Sequence, residues 1–145
     1  MDPPASAQRL LATGSAELQP ADPTAFGALL ESYVLGELIK AAPLQDGLFS
    51  LWHWTGPRGR EVDIVAECRR RLVAIEVKAS TSVSREDLRH LNWFAADGPG
   101  AARRVTSILF YLGEDAVVLG ERTFALPVSM LWAARRAHAG IARSR

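Results

Sequence analysis

The chain has 145 residues, 48% of them hydrophobic, which is enough for one domain with a core and excludes a disordered chain. A formal net charge of +1 excludes a global field that draws in nucleic acid, so any such binding has to come from local patches. The single cysteine, Cys68, excludes an internal disulfide and fits a reducing compartment, and no apolar run approaches membrane-spanning length.

Residues 1–22 are rich in Ala, Pro, Ser and Gly and read as a flexible N-terminal arm. They lack a basic-then-apolar signal pattern, so the expected location is cytoplasmic, with no membrane partner. Asp22-Pro23 is a helix start, with Asp as N-cap and Pro at the first helical position. The helix is expected from Pro23 to Ala41, stopping before Pro43. Phe26, Leu30, Tyr33, Val34 and Leu38 give it an apolar stripe. Glu31 lies at the edge of that stripe. Glu37 lies nearer its middle, where it needs a partner or a site to offset its desolvation.

Leu48 to Trp54 reads as the first strand, and Gly56-Pro57-Arg58-Gly59 as a hairpin turn. Trp52 and Trp54 share a face, with His53 opposite. Both tryptophans read as core rather than as base-stacking platforms, and His53 as a surface histidine. The second strand follows Arg60, with Val62, Ile64 and Ala66 expected to alternate with Glu61, Asp63 and Val65. Cys68-Arg69-Arg70-Arg71 turns the chain. In the third strand, Leu72 to Lys78, Val73, Ile75 and Val77 point to one face, and Ala74, Glu76 and Lys78 to the other.

Ser84 then reads as an N-cap with Asp87 three residues later, opening a helix that ends near Ala96, before Asp97-Gly98-Pro99-Gly100. Val105 to Leu112 is a strongly apolar, central strand. Two short strands, Ala116 to Leu119 and Thr123 to Leu126, precede a short helix that begins around Pro127-Val128-Ser129. Residues 133–145 form a basic tail that reads as solubilising. The expected domain therefore spans residues 23–132, in the order α-β-β-β-α-β, then a strand pair and a helix.

Chemistry concentrates at Asp63 and at Glu76-Val77-Lys78, separated by twelve residues. If the two strands pair, the two carboxylates lie close together. Asp63 and Glu76 then suit a hard divalent cation, Mg²⁺ or Mn²⁺, which prefers oxygen ligands. Lys78 can orient water or balance charge on a phosphate. The plain alternative is a solvated strand face with a cross-strand ion pair.

The Asp63…Glu76-Val77-Lys78 constellation resembles the PD-(D/E)XK nuclease superfamily, which has the restriction-endonuclease-like fold. A second resemblance covers roughly residues 24 to 132. FGALLESYVLGELIK, LWHWTGPRGREVDIVAE, LVAIEVKAS, VSREDLRHLNWF and LFYLGEDAVVLGERTFALPVSMLW are similar to the C-terminal domain of unknown function that follows the AAA module in many prokaryotic ATP-binding proteins. No phosphate-binding loop accompanies them, so the resemblance implies the terminal domain alone. These resemblances imply an α/β, restriction-endonuclease-like core: a mixed sheet flanked by helices. They also imply a catalytic set of Asp63, Glu76, Lys78 and Glu31, the last sitting four residues after Gly27 on the first helix.

Two functions follow as expectations. One is a metal-dependent nuclease that hydrolyses DNA phosphodiester bonds. The other is a non-catalytic module with the same fold that serves an AAA-type ATPase on another chain. A weaker third reading has exposed faces pairing in a homo-oligomer in place of the ATPase contact.

Overall fold

The computed structural model describes residues 22–41 and 49–133. The expected arm and basic tail, apart from Asp22 and Ala133, lie outside the described residues, as does Leu48. Helix α1 spans Pro23–Ala41. Strand β1 (Phe49–Thr55) leads through a 3₁₀ turn at Pro57–Gly59 into β2 (Glu61–Cys68). Strand β3 (Arg71–Val77) is followed by a 3₁₀ turn at Glu86–Leu88 and helix α2 (Arg89–Ala96). Strands β4 (Arg104–Tyr111), β5 (Val117–Gly120) and β6 (Thr123–Pro127) complete one sheet, and residues 130–133 add a helical turn. The fold is α/β, in the element order expected.

The six strands lie in the order β1-β2-β3-β4-β6-β5. Strands β1, β2 and β3 form an antiparallel meander. The β3–β4 and β4–β6 pairs are parallel, and β5 returns antiparallel on the edge. Strands β3 and β4 are thus central, as the apolar run around Leu109 requires.

Each face of the sheet buries its own core. On one, Leu88 of the 3₁₀ turn and Leu91 and Phe94 of α2 pack with Val65, Leu72, Ala74 and Leu109. On the other, Leu30 and Val34 of α1 pack with Ile64, Ile75, Val77 and Phe110. The alternation expected for β3 therefore holds. That for β2 does not. Val62 and Val65 belong to the α2 side, and Ile64 to the α1 side. The β1–β2 register explains this. Trp52 faces Val65 and Trp54 faces Val62, so two steps on β1 oppose three on β2. This is a β-bulge, and Asp63 sits in it.

Local chemistry accounts for the turns. Arg58 and Gly59 both have positive φ (61° and 66°), as in a type I′ hairpin turn. Arg69, in the β2–β3 turn, has φ 56°, a left-handed conformation that few non-glycine residues adopt. The amide and hydroxyl of Ser84 both donate to Asp87 Oδ2 at 2.8 Å. The Ser84/Asp87 pair thus forms, but Ser84 is not the cap: the residue before the 3₁₀ turn is Arg85 and the one before α2 is Leu88, and neither makes a side-chain cap hydrogen bond.

Trp54 stacks on Trp93 (5.6 Å between centroids, 20° between planes) and meets Phe94 edge-on at 5.3 Å. The Arg60 guanidinium covers the Trp93 ring at 4.5 Å. A methyl group at Gly56 would overlap the Trp54 ring, which these neighbours hold in place. Gly27, inside α1, has open space around it. Gly56→Ala is therefore expected to destabilise the domain by about 1–3 kcal/mol through overpacking. Gly27→Ala is expected to stabilise it by up to about 1 kcal/mol through helix propensity. Urea unfolding of the two variants beside the wild type measures both signs.

Candidate functional site

The β2–β3 ladder runs from Cys68↔Arg71 to Ile64↔Ile75 and goes no further. Beyond that pair β3 stays with β4, through Glu76↔Leu109 and Val77↔Phe110. The Lys78 amide still donates to Phe110 O at 2.9 Å, one residue past the strand. The bulge draws β2 away from β3 and leaves the Val77 amide without a carbonyl partner on that side. Asp63 fills the gap: its Oδ2 accepts the Val77 N–H at 2.7 Å. On the other edge of β2, His53 Nδ1 lies 3.0 Å from the Asp63 carbonyl oxygen.

Glu76 stands on β3 and Lys78 just past its end, with one residue between them, and their side chains meet. Glu76 is 4% exposed, and its Oε1 meets Lys78 Nζ at 3.0 Å. Its Oε2 is buried and, among the described residues, has no hydrogen-bond partner. An unpaired buried carboxylate oxygen is costly. Burial first, then the nearby Asp63 charge, pushes the Glu76 carboxyl from its ordinary 4.5 up to about 7, although Lys78 opposes the shift. Asp63 is also raised, mainly by burial, with its Val77 hydrogen bond acting against the shift. For Lys78, burial works against the charge, but Glu76 and Asp63 outweigh it and hold the ammonium above its ordinary pKa.

Helix α1 brings Glu31 to the same neighbourhood. Its carboxyl is raised by partial burial and then by the charges of Asp63 and Glu61, while Lys78 and His53 lower it. Glu31 stays solvent-exposed, so it borders the cluster rather than closing it. Glu37 does something else. It is 2% exposed and pairs with Lys40 Nζ at 2.9 Å, one helical turn on. That ion pair is the partner its place in the apolar stripe demanded.

The residues read from the sequence, Glu31, Asp63, Glu76 and Lys78, thus share one electrostatic neighbourhood where the sheet splits. Two others, Glu61 and His53, join it through the same interactions. His53 was legible as the polar residue in the aromatic strand Leu51-Trp52-His53-Trp54. Glu61 carried only its position two residues before Asp63. Among the described residues, no three His, Cys, Asp or Glu side chains converge as a ready-made metal cage. The donor set nevertheless suits a hard cation: a buried carboxylate oxygen without a partner, beside a second carboxylate that uses one oxygen for its hydrogen bond.

Residues 26–131 match the model of a family described as Domain of unknown function (DUF4143). No curated protein matches the chain.

The raised Glu76 pKa sets a pH dependence. The folded state favours the protonated carboxyl, so this group's contribution to stability is full below about 4.5 and is lost as pH rises to about 7. Glu76→Gln cannot ionise. Without metal, it is expected to match wild-type stability near pH 4 and exceed it at pH 8, by at most about 3 kcal/mol. Chemical denaturation in EDTA across this range reads the difference.

Proposed function

Because the chain belongs to the DUF4143 family, whose description leaves its activity open, we propose that it is a restriction-endonuclease-like domain that hydrolyses DNA phosphodiester bonds with Mg²⁺ or Mn²⁺. The observation that carries this reading is the buried, unpartnered Glu76 Oε2 beside Asp63 and Lys78, where the sheet divides. A carboxylate and an ammonium kept side by side in a site of low polarity suit charge transfer at phosphate better than they suit stability.

Asp63 and Glu76 would hold the cation, which when bound supplies Lewis-acid polarisation of a phosphate oxygen and a more acidic water. Lys78 keeps its ammonium charged and offers it to the negative charge that grows on the phosphate. It also orients the attacking water. Glu31, exposed at the rim, contributes a further carboxylate on the side from which solvent enters. Water adds to phosphorus, one P–O bond to the sugar breaks, and the departing oxygen takes up a proton.

A second reading, a non-catalytic partner of an AAA-type ATPase, draws on the direct Lys78–Glu76 ion pair, which satisfies half of Glu76 without any ligand. Two experiments separate the readings. Isothermal calorimetry is expected to show Mn²⁺ binding to the wild type, weakened at least tenfold by Asp63→Asn and by Glu76→Ala. Wild-type protein is expected to nick or degrade single-stranded, duplex or branched DNA with Mn²⁺ or Mg²⁺ and not with Ca²⁺. Lys78→Ala is expected to lower turnover about a hundredfold while leaving Mn²⁺ affinity within a few-fold. Equal background from wild type and Glu76→Ala on every substrate, with no Mn²⁺ binding, leaves the ATPase-partner reading in its place.

A further inference from the structure

Helix α1 buries one face against the sheet, yet its other face is also apolar. Ala28, Leu29, Ser32, Leu35, Gly36 and Ile39 lie along the side turned away from the core. Leu29, Leu35 and Ile39 are 49%, 36% and 57% exposed. No charge stands among them. Glu37 points inward, and Glu31 and Lys40 lie on the flanks. A helix that is apolar all round is ordinarily covered on both sides.

We propose that the cover is the same face of a second copy of this chain, with the two α1 helices antiparallel about a two-fold axis at Ser32. Two features select this occupant. The first is the palindromic arrangement of side chains about Ser32. The axis sets Leu29 level with the second copy's Leu35. It also sets Ala28 level with its Gly36, where small residues let the helices approach closely. The second is charge. Asp22 caps the N-terminus of α1, and Lys40 lies in its last turn. Eighteen residues, five full turns, separate them, so they lie on one side of the helix. In the antiparallel pair each Lys40 comes within about 3 Å, measured along the axis, of the other copy's Asp22. The helix dipoles also oppose. A parallel pair would set Asp22 against Asp22 and Lys40 against Lys40.

Nineteen residues make a helix about 28 Å long. One such pair buries less than the roughly 1,200 Å² of a tight complex, so the dimer is weak and depends on concentration. The proposal is independent of the nuclease reading, because no residue of the outer face belongs to that site.

The test is sedimentation equilibrium of the full chain from about 10 to 500 μM, with circular dichroism to verify folding of each variant. The wild type is expected to pass from monomer to dimer across this range. Leu29→Lys alone and Leu35→Glu alone are each expected to weaken association at least tenfold. Both changes in one chain are expected to restore it, because positions 29 and 35 meet across the axis with opposite charges. A Ser32→Cys, Cys68→Ser chain gives a second readout: mild oxidation is expected to yield a covalent dimer. Three results would overturn the proposal: a wild type that stays monomeric throughout, association that neither single change weakens, or a double variant no better than the singles.

Discussion

One hydrogen bond, from the Val77 amide to the Asp63 carboxylate at 2.7 Å, holds the arrangement together. A central strand that loses a neighbour partway along exposes main-chain donors inside the protein, and each one left unmatched costs about 1–3 kcal/mol. In this domain β2 peels away from β3 after Ile64↔Ile75. The carboxylate stands in for the missing carbonyl, and a charged acceptor makes a shorter and stronger bond than a neutral one. The split can therefore persist at low cost, with Glu76 and Lys78 held at its mouth by β4 and the Val77 amide between them by Asp63.

The same bond joins architecture to chemistry. Asp63 commits only one oxygen to it. The bulge that turns Asp63 toward β3 also brings His53 onto its carbonyl, so the residue is fixed from both edges of β2. Around it the protein gathers Glu31, Glu61 and Glu76 against one nearby ammonium, Lys78, and His53. Burial, and for Glu31 and Glu76 the neighbouring Asp63 charge as well, raises the carboxyl groups of Asp63, Glu31 and Glu76 together, an arrangement that weakens the folded state. Such local conflict with stability makes the cluster a candidate functional site.

The sequence disclosed the parts of the fold that local rules govern. Alternation in Leu72–Lys78 assigned the faces of β3, the Ser84/Asp87 pair marked the entry to α2, and Gly56–Gly59 marked a turn. What it concealed is relational. Regular alternation was read through Asp63, yet the extra residue appears only when β2 is laid against β1, since a bulge is a mismatch between two strands. Glu37 was read as an anomaly in an apolar stripe. Its resolution, Lys40, lies three residues on, at ion-pair spacing in a helix. The apolar stripe of α1 was visible, but a stripe does not say that the opposite face is also apolar until the sheet shows which side it takes. The approach of Glu31 to the site depends on α1 crossing the α1 side of the sheet, a tertiary fact with no local signature.

The parallel pairing of β3 with β4 has a kinetic consequence. The β1–β2–β3 meander joins residues close in sequence and closes through two tight turns, so its contacts can form early. Strand β4 reaches β3 only after the chain has passed through α2, which makes that contact long-range and slow to close. Before it closes, the Lys78 amide has no Phe110 carbonyl and Glu76 has no strand on its far side. A collapsed species that holds only the meander thus exposes the unpaired edge of β3, with Val73, Ile75 and Val77 along it, to other chains. The strand that carries Glu76 is then open to pairing with other chains while the domain is being made, until β4 closes over its edge.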